Sequence, residues 1–160
     1  METNGKTILD ACCGGRAFYY EKADPRVLYC DIREEDKILC DGRRLVVKPD
    51  MFVDFRDMPF PSDTFHLVIF DPPHLVDAGP ESWLAKRYGR LPKNGWQDYV
   101  AQGLMECWRV LMPGGTLIFK WSNIQVKLCE VLKAIPMTPL LGTRTQAETL
   151  FLVFFKDPTR

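Results

Sequence analysis

Four aspartates stand where short apolar runs end: Asp10 after "TIL", Asp31 after "VLYC", Asp54 after "MFV" and Asp71 after "LVIF". The last leads at once into Pro72, Pro73 and His74. A carboxylate held at a strand end accepts hydrogen bonds from hydroxyls or amines. Proline fixes its backbone and has no N–H, so Pro72 offers a rigid carbonyl free of a competing donor. Together the two acceptors suit a planar amine: they take both of its hydrogens and favour the pyramidal geometry in which its lone pair attacks. His74 adds a flat ring able to stack, hydrogen-bond or accept a proton. Asp-Pro-Pro is also simply a way to stop a strand.

Two further groups of residues carry chemistry. Gly14 and Gly15 follow the first apolar run, and 31 − 14 = 17 residues separate Gly14 from Asp31. That is close to the ~20-residue interval at which an acidic residue meets ribose hydroxyls in nucleotide-binding α/β folds. Adjacent glycines after a strand are also common turn residues. Downstream, Trp83, Lys86, Arg87, Tyr88, Arg90, Lys93 and Trp96 interleave within "SWLAKRYGRLPKNGW", with no acid between them. Bases and aromatics together suit phosphate contacts and stacking on unpaired bases, or else a lid or surface helix with a solvated face. Trp83 and Tyr88 are candidate walls of a substrate pocket, with Lys86 and Arg87 as phosphate contacts.

These residues need elements to position them. Strands are predicted at "TILDAC", "VLYCDI", "MFVDF", "LVIFD", "GTLIFKW" and "TLFLVFFK". Their apolar character is continuous rather than alternating, which implies a sheet covered on both faces. Helical spacing predicts one helix over 97–111, with Tyr99, Leu104, Trp108 and Leu111 near one face, and another over 125–134, stopping before Pro136. The order β-β-β-β-α-β-α-β predicts a doubly wound, mostly parallel α/β domain. Only thirteen residues, "GGRAFYYEKADPR", join the first two strands, too few for a full crossover helix. Two short runs around "DG", near 37–48, read as a β-hairpin where a helix is expected.

Composition narrows the rest. The 160 residues make one domain, 1–160, with formal net charge zero, so any nucleic-acid contact must be local. The longest apolar run, "LFLVFF", is far short of the ~20 residues that span a bilayer, so no membrane is expected. "METNGKT" has neither the basic nor the apolar region of a secretion signal, and the cytoplasm is the default location. Six cysteines without a CxxC pair, and only two histidines, give no familiar zinc spacing and read as small hydrophobes in a reducing compartment.

Taken in order, "ILDACCGG", "YCDIR", "DFRDMPFPSDTFHLVIFDPP" and "RVLMPGGTLIFKW" resemble a class I S-adenosylmethionine-dependent methyltransferase, in particular small phage and bacterial members with a D-P-P-H motif. The resemblance runs from Thr7 to Lys156. It implies a Rossmann-like fold with an antiparallel last strand and S-adenosyl-L-methionine as cofactor. By resemblance, Asp10 and Gly14 line the methionine end, Asp31 holds the ribose, and Asp54 with the backbone of Phe55 meets the adenine. Cys12 and Arg16 stand in the loop where glycines are common. Arg16 is either a fork for the cofactor carboxylate or a solvated arginine. Asp71, Pro72, Pro73 and His74 then form the catalytic motif, acting on an exocyclic amine of the adenine-N6 type in DNA or RNA. Alternatives are a small-molecule or side-chain-amide acceptor, or a catalytically silent cofactor-binding subunit. There is no room for a separate target-recognition domain, so selectivity is low or comes from a partner protein. A base within a duplex would have to be flipped out, which favours single-stranded or structured targets.

Overall fold

A computed structural model describes residues 3–79, 82–144 and 147–159. Strands β1 (Ile8–Asp10), β2 (Val27–Asp31), β5 (Met51–Phe52), β6 (Phe65–Phe70), β7 (Leu111–Ser122), β8 (Leu141–Gly142) and β9 (Thr149–Phe155) form one sheet in the order β5-β2-β1-β6-β7-β9-β8. The pairs from β5 to β7 are parallel, and β9 runs antiparallel to both β7 and β8. Strands β3 (Glu35–Ile38) and β4 (Arg44–Val47) pair separately as the antiparallel hairpin expected around the "DG" turn. The fold class is as the sequence predicts, with the last strand reversed.

Helix α2 (Trp96–Val110) packs on β6 and β7 because Val100, Leu104, Cys107 and Val110 recur on one face at helical spacing. The strands meet it with Leu9, Val68, Phe70, Leu117, Phe119 and Phe154, all fully buried in a shared core that also takes Val131 of α3 (Leu128–Lys133). Helix α2 sits close to the sheet because it has a glycine where it crosses two rings. A Cβ at Gly103 would lie 2.6 Å from both Phe55 and Phe70.

The second face is covered differently from the expectation. Neither α2 nor α3 packs there. Between β1 and β2 the chain makes only turns, and its Cys13 and Tyr19 pack on Val27, Tyr29 and Ile8. Further across, Leu67, Ile118 and Val153 are half-buried, and Phe151 and Phe155 stay 40% and 45% exposed. Helix α3 starts at Leu128 rather than 125 because Asn123 Oδ1 accepts the Leu128 N–H and Gln125 is engaged elsewhere. Of the cysteines, Cys13, Cys30 and Cys107 are buried, while Cys40 and Cys129 are exposed, unlike the interior positions expected.

Gly103→Ala is expected to destabilise the protein by about 1–3 kcal/mol, the usual cost of overpacking a filled core. Urea denaturation measures it; unchanged stability would mean that α2 does not depend on this close approach.

Candidate active site

The carboxyl ends of the parallel strands open on a cleft of about 800 Å³. It is lined by Cys12, Gly14 and Arg16 after β1, by Asp71, Pro72 and His74 after β6, by Lys120 of β7, by Arg87 and Tyr88 of α1 (Trp83–Tyr88), and by the β3–β4 hairpin. Eight lysines and arginines face two carboxylates, Asp50 and Asp71, in a chain of zero net charge.

Asp71 follows β6 because two prolines end the ladder. Its Oδ2 accepts from Lys120 Nζ at 2.6 Å, with both side chains about one-fifth exposed. Burial pushes the Asp71 carboxyl up, and the Lys120 ammonium opposes that. Oδ1 has no hydrogen-bond partner among the described residues and is not sealed from the cleft. His74 is buried, its ring 5.4 Å from that of Tyr88. Burial, then the Lys120 charge, holds its pKa down to about 4, so the ring is neutral at pH 7 and a weak proton acceptor. Pro73 packs beneath, near Gly89. Gln125 fixes the exit of this loop: its Oε1 accepts the N–H groups of Val76 and Asp77.

Gly14 takes φ +49°, and the place a Cβ would fill is open space. Its N–H donates to Asp31 Oδ2 at 2.9 Å. The Arg33 N–H and Nε both donate to Asp31 Oδ1. A carboxylate has about four acceptor positions, so Asp31, 3% exposed, keeps about one for a hydroxyl while Arg33 stays in place. Asp10, fully buried, accepts from the Tyr19 hydroxyl at 2.9 Å and from the Cys12 N–H. Both oxygens of Asp54 are held by Arg56, which keeps that carboxyl below the ordinary range. Phe55 is a core residue, edge-on to Phe70 and Tyr99.

Some expected residues are placed otherwise. Arg16 donates to the carbonyls of Lys22 and Lys48, and its guanidinium lies 3.6 Å from the centre of the Tyr29 ring. Arg16 thus ties the turn segment to the link between β4 and β5 while lining the cleft. Of the basic-aromatic segment only Arg87 and Tyr88 line the cleft. Trp83 lies 5.6 Å from Arg43 of the hairpin, Arg90 donates to the Ala78 carbonyl, and Lys93 pairs with Asp77. Lys86 is engaged within the protein. Trp121 is a core residue, donating from Nε1 to the Val126 carbonyl. Among the described residues no cluster of His, Cys, Asp and Glu suits a metal ion, and no helix is long and apolar enough to cross a membrane.

Of the expected cofactor residues, Cys12, Gly14 and Arg16 line the cleft and Asp10, Asp31, Asp54 and Phe55 do not. The open space at Gly14 and the acceptor position left on Asp31 are what suit a nucleoside-bearing cofactor. Asp10 supplies a separate test of how this end of the sheet is held. Burial, reinforced by the charges of Asp71 and Asp31, raises its pKa to about 7 against the hydrogen bonds of Tyr19 and Cys12. The folded protein therefore holds this proton more tightly than the unfolded chain, so stability falls as pH rises from about 4 to about 7. Asp10→Asn should melt progressively higher relative to the unsubstituted protein between pH 5 and pH 8. A constant difference across that range would contradict the buried, proton-holding carboxyl.

No protein-family model and no curated protein sequence matches the chain. Its fold does match solved structures. The PH0226 protein from Pyrococcus horikoshii OT3 is 16% identical with a TM-score of 0.58, over 94% of this chain and 81% of that one. The N-methyltransferase NodS from Bradyrhizobium japonicum WM9 is 13% identical with a TM-score of 0.52, over 94% and 85%. A chain of the complex containing the Haloferax volcanii Trm112 methyltransferase activator is 16% identical with a TM-score of 0.50, over 96% and 83%. At these identities the likeness is one of fold. The strand order and these matches are those of the Rossmann-like fold of class I S-adenosylmethionine-dependent methyltransferases.

Proposed function

We propose that this chain moves a methyl group from S-adenosylmethionine to an exocyclic amine, of the adenine-N6 type, in DNA or RNA. The observation that carries the reading is the Asp71 carboxylate. It sits at the end of β6 with one oxygen open to the cleft, between Pro72, His74 and the Gly14 loop.

The chemistry that S-adenosylmethionine supplies when bound is a methyl already activated on a sulfonium. Gly14 with Cys12 would hold its methionine end, Asp31 its ribose, and Asp54 with the backbone of Phe55 its adenine. The amine's lone pair is delocalised into its ring and must be made available. Asp71 Oδ1 accepts one N–H and the Pro72 carbonyl the other, which orients the lone pair along the line of attack. The neutral His74 ring and Tyr88 flank a planar acceptor.

The excess of cations around the cleft supports a polyanionic substrate. No ion pair joins Lys22, Lys48 or Arg87 to a carboxylate of the described residues, which leaves them for phosphates. Phosphate contacts of this kind position rather than specify, so a partner protein is the natural source of sequence selectivity.

Labelled methyl transfer to single-stranded DNA, RNA, protein and small-molecule pools tests the reading directly. Asp71→Ala is expected to lose about 100-fold or more in turnover with cofactor affinity nearly unchanged. Asp31→Ala should instead weaken cofactor binding by about 1.5–3 kcal/mol in calorimetry. Labelling of small molecules alone would move the acceptor, and normal turnover by Asp71→Ala would leave the motif as a strand stop. Binding to single strands should fall with salt at a slope of about −0.7 per phosphate contact, near −2 for three. Lys48→Glu with Arg87→Glu should flatten it, and salt-independent binding would exclude nucleic acid.

A further inference from the structure

The geometry points to Lys120 as the positioning residue of the transfer: by clamping one oxygen of Asp71 it keeps the carboxylate an ionised acceptor with its other oxygen turned to the amine. This rests on the amine-transfer reading of the cleft and assigns a role to the lysine of "GTLIFKW", for which the sequence alone suggests none.

The parallel register places the two together. Phe70 of β6 pairs with Phe119 of β7, so the next residues along, Asp71 and Lys120, stand side by side. Alternation sends Phe119 and Trp121 into the core and Lys120 to the opposite face, into the cleft. Its Nζ reaches Asp71 Oδ2 at 2.6 Å and lies 5.7 Å from the centre of the Phe18 ring, with no second carboxylate of the described residues bound to it.

Burial raises the Asp71 pKa, and a carboxyl that takes up its proton turns one oxygen into an O–H donor. A donor facing an amine N–H has the wrong polarity. Lys120 corrects both faults: its charge favours the ionised form, and its hydrogen bond fixes which oxygen is taken. As the amine lone pair forms the new nitrogen–methyl bond, the sulfonium's sulfur–methyl bond would break and leave its electron pair on sulfur as a thioether. The nitrogen must then shed one proton, and Asp71 Oδ1 is the oxygen placed to take it and pass it to solvent.

Other groups around the pair do not replace Lys120. Asp10, from β1, is a carboxyl and adds negative charge near Asp71 as it ionises around pH 7. Burial keeps the Cys12 thiol protonated and the His74 ring neutral. Arg87 and Tyr88 line the cleft from α1, and no hydrogen bond or ion pair joins either to Asp71.

The test uses the full chain with S-adenosylmethionine and an adenine-containing single-stranded oligonucleotide, comparing Lys120→Met, Lys120→Gln and Lys120→Arg. The neutral variants should lose about tenfold or more in kcat at neutral pH and keep cofactor affinity. The acid limb of their kcat profile should move up by about one pH unit, so the deficit shrinks as pH rises. Lys120→Arg should restore most of kcat. A loss equal at every pH would mean a merely structural role, and a rise in KM with kcat intact would make Lys120 a substrate contact; either overturns the proposal. A readout independent of turnover is the infrared titration of the Asp71 carboxyl, identified by its disappearance in Asp71→Asn. It should shift upward in Lys120→Met and Lys120→Gln, and an unmoved titration refutes the clamp. If the unsubstituted protein methylates no amine, the amine reading fails, and the titration still decides whether Lys120 holds Asp71 ionised.

Discussion

Asp10, Asp31 and Asp71 end three strands that are hydrogen-bonded neighbours in one sheet, and such strands lie only ~4.8 Å apart. In register Asp31 and Asp71 lie two residues beyond Asp10, so the three carboxylates gather at one edge of the sheet. Like charges there, away from bulk water, raise one another's cost, and each is relieved in its own way. Asp10 is relieved by holding its proton and by Tyr19, Asp31 by the Gly14 N–H and Arg33, and Asp71 by Lys120. Asp54, one strand further out, has Arg56. The turn segment after β1, the glycine loop and the lysine on β7 are placed as they are because these carboxylates need partners. Of the four, only Asp71 keeps an oxygen with no hydrogen-bond partner among the described residues.

The strands were legible because a parallel strand buried on both faces leaves an unbroken apolar run; β2 is buried at every position. The hairpin was legible from the turn chemistry of Asp41-Gly42, and α2 from the spacing of Tyr99, Leu104 and Trp108. The buried stripe of α2 is nonetheless Val100, Leu104, Cys107 and Val110, and Leu111 begins β7. The cover of the second face was not. The same apolar runs that imply two covered faces are satisfied here partly by Cys13 and Tyr19 on a turn segment, and that packing has no periodicity to read. The two-residue β8 is too short to leave a pattern, and the late start of α3 follows from one side-chain acceptor, Asn123.

At the site, the aspartates at strand ends were legible because topology forces every such residue to the same edge. Lys120 was not: 49 residues separate it from Asp71, and they meet only through the register of β6 against β7. Arg16, which the sequence left open between a fork for a carboxylate and a solvated arginine, lines the cleft and turns two of its N–H groups to backbone carbonyls. The run from Lys86 to Lys93 reads as one basic surface in the sequence. The fold divides it: Arg87 faces the cleft, while Arg90 and Lys93 turn to Ala78 and Asp77.

The sheet order carries a consequence for how the chain is made. Strand β9 lies between β7 and β8 and pairs with β7 at seven positions, from Thr116 to Ser122. Lys156, just after it, closes onto Asp63 and the carbonyls of Trp108 and Leu111. While the ribosome still shelters residues 149–156, β7 has an open edge of unpaired amides and carbonyls, and β8 has no neighbour at all. An exposed apolar edge of that kind is a template for pairing with another chain. The nascent chain is therefore open to aggregation from the time β7 emerges until β9 follows it, and the sheet closes only when β9 docks between β7 and β8.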